Sequence, residues 1–224
     1  MMDISNTGIL VVAAHPDDES IGMGATIGKL RANGCEITLL LMSSGVNSRL
    51  NLRESAESRK VAALKSSNLL GIQNLFWCDY PDNQFDSITR LELCKSIEKI
   101  IEKIKPTYIF THSLKDLNID HRLTAEACIV ASRPKTISNV KGLFSFEISS
   151  STDWGFGFEE FAPNLFVDVS DFIQLKEASL KAYEIEMDDF PNSRSINAIL
   201  GKLKYRGSIV GYQAAEAFEV LMIR

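Results

Sequence analysis

Six consecutive apolar residues near the start of the chain, Ile9-Leu10-Val11-Val12-Ala13-Ala14, constrain its fold more than any other feature. Successive side chains of a strand point to opposite faces, so an unbroken apolar run rich in β-branched residues predicts a strand buried on both sides. Such strands belong to parallel sheets covered by crossover helices. The rest of the chain repeats the theme. Residues 22–33 read as a helix ended by Asn33-Gly34, 36–42 as a strand, 45–50 as a loop, about 51–70 as a helix closed by Gly71, and 74–80 as a strand. Over 87–105, apolar residues at Ile88, Leu91, Leu93, Ile97, Ile100, Ile101 and Ile104 keep a helical period that Pro106 ends. A strand at 108–111, a helix at 121–132 and a strand at 142–148 follow. The stretch 149–163 reads as a loop, 165–169 as a strand, 172–187 and 193–205 as helices, and 217–222 as a last strand. The alternation predicts an α/β, doubly wound, mostly parallel, Rossmann-like sheet with flanking helices. No repeat or linker interrupts it, so residues 1–224 are expected to form one domain.

The first strand runs into Ala14-His15-Pro16-Asp17-Asp18-Glu19, one imidazole and three carboxylates in five positions. The carboxyl ends of parallel strands are where open α/β sheets bind ligands. Like charges crowded there repel, and a divalent cation relieves the repulsion. Neighbouring residues point their side chains apart, which suggests one Asp on a metal and the other beside it. A catalytic zinc site takes three N/O ligands and keeps a position open. His15 and one Asp make two, so a third must come from elsewhere. The chain has three His, and the other two, His112 and His121, stand after the fourth strand. Strands one and four are often neighbours at the switch point of such sheets.

This motif, with Asp120-His121 opening a later helix, resembles the LmbE-like or PIG-L-type zinc-dependent N-acetylglucosaminyl deacetylases. The likeness covers most of the first 130 residues in order and spacing. It implies that His15, Asp18 and His121 hold zinc and that Asp17 is the general base, taking a proton as water attacks an amide carbonyl. Acetate and a free amino sugar would result. Many members carry His-x-x-His where this chain has Asn118-Ile119-Asp120-His121. Asn118 is then either a weaker oxyanion donor or a helix cap, since an amide cannot carry charge. His112 is the alternative cationic donor if its loop folds over the metal. Asp120 is expected to orient a ligand, and Glu19 to act outside the metal's ligands, in the first turn of a helix.

Substrate-side candidates are Arg53, with Arg49 beside it, Asp82 as a binder of sugar hydroxyls or a turn former, and Trp154 as a stacking face or a satellite core residue. Arg194, Lys202, Lys204 and Arg206 read as a solvated helix face rather than a phosphate site. The cofactor expected is Zn2+, with Fe2+ or another divalent ion as the alternative. The net charge of −5 argues against nucleic acid. Cys35, Cys78, Cys94 and Cys128 form no C-x-x-C pair and read as free core thiols. With no signal peptide and no transmembrane segment, a cytoplasmic enzyme is expected, acting on a small-molecule amino sugar; self-association into a homo-oligomer is left open. Two rival readings are a related metal amidase acting on a larger sugar–thiol amide and a non-catalytic nucleotide- or sugar-binding α/β domain. The second lacks support, because Gly22-x-Gly24-x-x-x-Gly28 lies within a helix rather than in a phosphate loop.

Overall fold

A computed structural model of the protein describes residues 4–45, 55–134, 139–157 and 159–224. The chain alternates β1 (Gly8–Ala13), α1 (Asp18–Ala32), β2 (Glu36–Ser43), α2 (Ala56–Leu70), β3 (Asn74–Tyr80), α3 (Arg90–Ile104), β4 (Tyr108–His112), α4 (Ile119–Ala131) and β5 (Gly142–Phe146). It continues through β6 (Leu165–Asp168), α5 (Ile173–Ala182), α6 (Ile196–Val210) and β7 (Ala215–Ile223). The seven strands form one sheet in the order β3-β2-β1-β4-β5-β7-β6. From β3 to β5 all pairs are parallel, and β7 runs antiparallel between β5 and β6. The doubly wound, mostly parallel α/β architecture expected from the alternation is therefore present.

Strand β1 lies beside β4, with Ile9 opposite Tyr108 and Val11 opposite Phe110. Because the winding reverses there, this pair is the switch point. Ile9, Val11 and Ala13 enter one hydrophobic core and Leu10, Val12 and Ala14 the other, all fully buried. That is why the run carries no polar alternation. Cys35, Cys94 and Cys128 are buried and all four thiols are free.

Helix boundaries moved where caps and dipoles outrank apolar period. Helix α1 begins at Asp18, four residues earlier than expected, since carboxylates are favoured in a first turn. The helix expected over 51–70 is observed from Ala56, capped by Ser55; residues 51–54 lie outside the described residues. The helix expected at 172–187 ends at Ala182 and gives way to a single 3₁₀ turn, and the one expected at 193–205 occupies Ile196–Val210 behind the Ser195 cap. A Cβ on Gly22 would stand 2.4 Å from the Phe146 ring, and one on Gly28 2.3 Å from Leu175, so these glycines serve close packing.

Helix α1 is broken at Met23, whose φ/ψ are −150°/23°. Two buried side chains from the C-terminal half fill the break. Lys176 Nζ donates to the Ile21 carbonyl at 2.7 Å, and Glu216 accepts from the amides of Ala25 at 3.2 Å and Thr26 at 2.6 Å. The two pair with each other at 2.5 Å. An ion pair thus replaces the lost rungs of the helix ladder and lets the first turn of α1 take its own direction.

Candidate metal centre

The acidic turn connects the end of β1 to α1. The His15 amide donates to Asp18 Oδ2 at 2.8 Å, and the Ala14 amide donates to His112 Nε2 at 2.9 Å. Asp17 sits at the helix N-cap with φ 101°, a conformation that costs a non-glycine residue energy and that clusters at functional sites. Its amide donates to Glu19 Oε2 at 3.2 Å, and its carbonyl accepts from the Ile21 amide at 2.9 Å.

His15 Nδ1, Asp18 Oδ2 and His121 Nε2 form a small buried triangle. The sides are 3.5 Å from His15 to Asp18, 3.5 Å from His121 to Asp18 and 3.3 Å between the imidazoles. Tetrahedral zinc with ligands near 2.0–2.1 Å separates its donors by about 3.3–3.4 Å. With their outer nitrogens held by carboxylates, both rings turn the inner nitrogen to the triangle, where it can act as a ligand once unprotonated. His15 Nε2 faces Asp120 Oδ2 at 3.0 Å and Asp82 Oδ1 at 3.1 Å, while His121 Nδ1 faces Asp116 Oδ2 at 3.2 Å. Ionised carboxylates only accept, so these outer nitrogens carry the protons. The residues therefore fit a divalent ion by spacing, donor chemistry and outer support. Soft thiolates play no part, which suits zinc and equally iron(II).

Each carboxylate around the centre is held in turn. Asp120 accepts from the amides of Asn83 at 2.6 Å and Phe85 at 3.0 Å. Asp116 accepts from Thr152 Oγ1 at 2.6 Å, Ser151 Oγ at 3.0 Å and the Asn118 amide at 2.8 Å. Glu19 accepts from Ser20 at 2.9 Å, Ser66 at 3.2 Å and Tyr183 at 2.9 Å, so it anchors the turn from behind. Burial raises the Glu19 pKa to about 7 even against the Ser20 and Tyr183 hydrogen bonds. Burial also opposes charge on His15, yet its hydrogen bonds with Asp120, Asp18 and Asp82 outweigh it and hold its pKa well above the usual value. The surroundings favour positive charge at this ring. Burial works against the Asp18 carboxylate too, but His121, His112 and His15 keep it well below the ordinary range.

The geometry bears on several of these expectations and decides between some of their alternatives. Asp82 is buried and faces His15 rather than standing ready for sugar hydroxyls. His112 is fully buried, and burial followed by the charge of His121 lowers its pKa to about 4. Its Nε2 accepts from Ala14, so it is a neutral ring that braces β1 rather than a cationic donor. Asn118 is the N-cap of α4: its Oδ1 accepts from the Asp120 amide at 2.8 Å and its Nδ2 donates to Asn83 Oδ1 at 3.1 Å, which commits the amide group elsewhere. Trp154 is not a core residue. It is 63% exposed and stands edge-on to the exposed Phe156 at 5.1 Å, on the loop that Ser151 and Thr152 tie to Asp116. Arg53 and Arg49 lie outside the described residues.

Of two further residues with direct contacts to the site, Asp116 was not singled out by sequence and Arg194 was read as part of a solvated helix face. Asp116 sits two positions before Asn118, where an Asx turn before a helix is a recognisable signal. Arg194 pairs with Asp17 instead of lining a solvated face, and nothing local in the sequence reveals that. Arg206 chelates Glu147 through two bonds of 2.8 Å, and Lys202 pairs with Glu147 and Asp153.

A doubly wound sheet with a buried His/Asp cluster at its switch point defines an α/β protein whose candidate ligand site lies at the acidic turn. The chain belongs to the PIG-L family, described as GlcNAc-PI de-N-acetylase, whose model matches residues 10–132. It is 28% identical over 214 residues to diacetylchitobiose deacetylase of Thermococcus kodakarensis, covering 87% of this chain and 78% of that protein. Its fold is similar to that of N,N′-diacetylchitobiose deacetylase from Pyrococcus horikoshii, with TM-score 0.78 and 24% identity over 96% of this chain and 84% of that one. It is also similar, with TM-score 0.77 and 18% identity over 97% of each chain, to a 4-carboxy-2-hydroxymuconate hydratase from Pseudomonas putida. The fold alone therefore carries more than one reaction. The sequence relatives are deacetylases of N-acetylglucosamine type.

Proposed function

We propose that the protein is a metal-dependent N-deacetylase that hydrolyses the N-acetyl amide of an amino sugar or sugar conjugate. The single observation that carries this reading is the triangle of His15 Nδ1, Asp18 Oδ2 and His121 Nε2, each imidazole backed by a carboxylate. These three would hold the ion, zinc being the first candidate. When bound, such an ion polarises a carbonyl and lowers the pKa of water.

The rest falls to the protein's own groups. Asp17 Oδ1 is buried and has no hydrogen-bond partner among the described residues, which supports the reading of Asp17 as the base that accepts the proton of the attacking water. As the C–N bond breaks, Asp17 returns that proton to the departing nitrogen, leaving acetate and a free amine. Asp120, Asp82 and Asp116 keep the two imidazoles in one tautomer each. Trp154, with Phe156, offers an exposed face on which a sugar ring can stack.

Purified protein assayed for acetate release from N,N′-diacetylchitobiose and other N-acetylated sugars should contain about one divalent ion per chain. Asp17→Asn should keep that ion and lose about 10²–10⁴-fold in turnover. A metal-free preparation that stays fully active would overturn the reading. Loss of the ion in Asp17→Asn would reverse the roles of the two aspartates.

A further inference from the structure

We propose that Arg194 is a positioning residue for Asp17: its guanidinium holds one carboxylate oxygen and so leaves the other for the proton of the attacking water. This rests on the reading of Asp17 as general base. Arg194 Nη2 donates to Asp17 Oδ2 at 2.5 Å, while Asp17 Oδ1 is buried with no partner among the described residues. A carboxylate gripped at one oxygen by a planar, permanently charged group keeps a fixed rotamer.

Arg194 is itself held in place. Its Nε donates to the Glu186 carbonyl at 3.3 Å, and its amide donates to Asn192 Oδ1 at 2.8 Å. The next residue, Ser195, caps α6. The Glu186 carboxylate in turn accepts from Arg59 Nε at 3.1 Å. Asp17, Arg194, Glu186 and Arg59 thus make a run of alternating charge between the acidic turn, the 186–195 segment and α2. Asp17, Arg59 and Glu186 are no more than 5% exposed. The Arg194 side chain is 17% exposed and already serves two acceptors, which suits support of the base better than capture of substrate. Arg194 also lies beyond the residues that match the family, 10–132.

The test is a double-mutant cycle with N,N′-diacetylchitobiose as probe, reading acetate release and metal content. Misplacing a catalytic group by about 1 Å costs on the order of 10²-fold, so Arg194→Gln should lower kcat about 10–100-fold. KM should stay within about threefold and the metal should be retained, because neither the ion nor the substrate loses a contact. Arg194→Lys should recover part of the loss, since an ammonium can still hold one oxygen. In an Asp17→Asn background, Arg194→Gln should change the residual rate less than about threefold, as expected for residues acting as one unit. Fully additive losses, a KM effect without a kcat effect, or metal loss in both Arg194 variants would overturn the proposal. Should the glutamine variant fail to fold, the kcat-against-KM split in Arg194→Lys decides. An active Asp17→Asn would instead sink the base assignment on which the proposal stands.

Discussion

At the scale of single residues, the site rests on two imidazoles whose outer nitrogens are held by carboxylates. His15 and His121 each give one nitrogen to the triangle and the other to a carboxylate. Removing a carboxylate frees the ring to turn and lowers its basicity, so Asp120→Asn and Asp116→Asn should each weaken metal binding about 10–100-fold, measured by competition with a chelator. Asp116 should show the greater collateral effect, because it also holds the 151–152 hydroxyls that support the Trp154 loop. The acidic turn and His121 were legible in the sequence because scarce histidines next to carboxylates at strand ends have few structural uses. Asp116 was not legible, and Asp82 and Arg194 were noticed but given other roles. A carboxylate's task depends on which ring it faces, and that is decided by residues from separate segments.

At the scale of elements, the broken helix α1 is the main departure from what its sequence implies. A helix was expected over residues 22–33, and only the glycines on either side of Met23, Gly22 and Gly24, hint locally at a break there. The break is sustained by Lys176 and Glu216, more than 150 residues away along the chain. Removing one member of a buried pair strands the other, so Lys176→Met should destabilise the protein by about 3–5 kcal/mol in urea unfolding. A further Glu216→Gln change should recover only part of this, since Glu216 also caps the Ala25 and Thr26 amides. Cap signals fared better. Asn33-Gly34, Gly71 and Pro106 each mark an element end within a residue or two of the observed boundary.

At the scale of the whole molecule, the two halves of the sheet meet at the site. Strands β1 and β4 bring the acidic turn and α4 together, and the C-terminal segment closes over the turn with Arg194. An ion that binds this assembled site and not the unfolded chain should stabilise the fold. Saturation at about 100 times Kd adds roughly 2.7 kcal/mol, which for a chain of this size raises Tm by about 5–10 °C. Calorimetry of chelated and zinc-loaded protein checks this; equal Tm values would count against a site formed only on folding. No helix among the described residues is long and apolar enough to cross a membrane.

The sequence by itself determined the strand–helix alternation, the doubly buried first strand and the acidic turn at its end, because period and residue type report burial and local charge directly. Family membership was equally visible there, in a six-residue motif and a later Asp-His pair. Only the tertiary structure decided which carboxylate backs which imidazole, that His112 is a neutral brace and Asn118 a committed cap, and that Arg194 reaches Asp17 across 177 positions of chain. The physical reason is that hydrogen bonding and desolvation at a buried site are set by neighbours in space. Those neighbours are fixed by sheet order and packing, not by spacing along the chain.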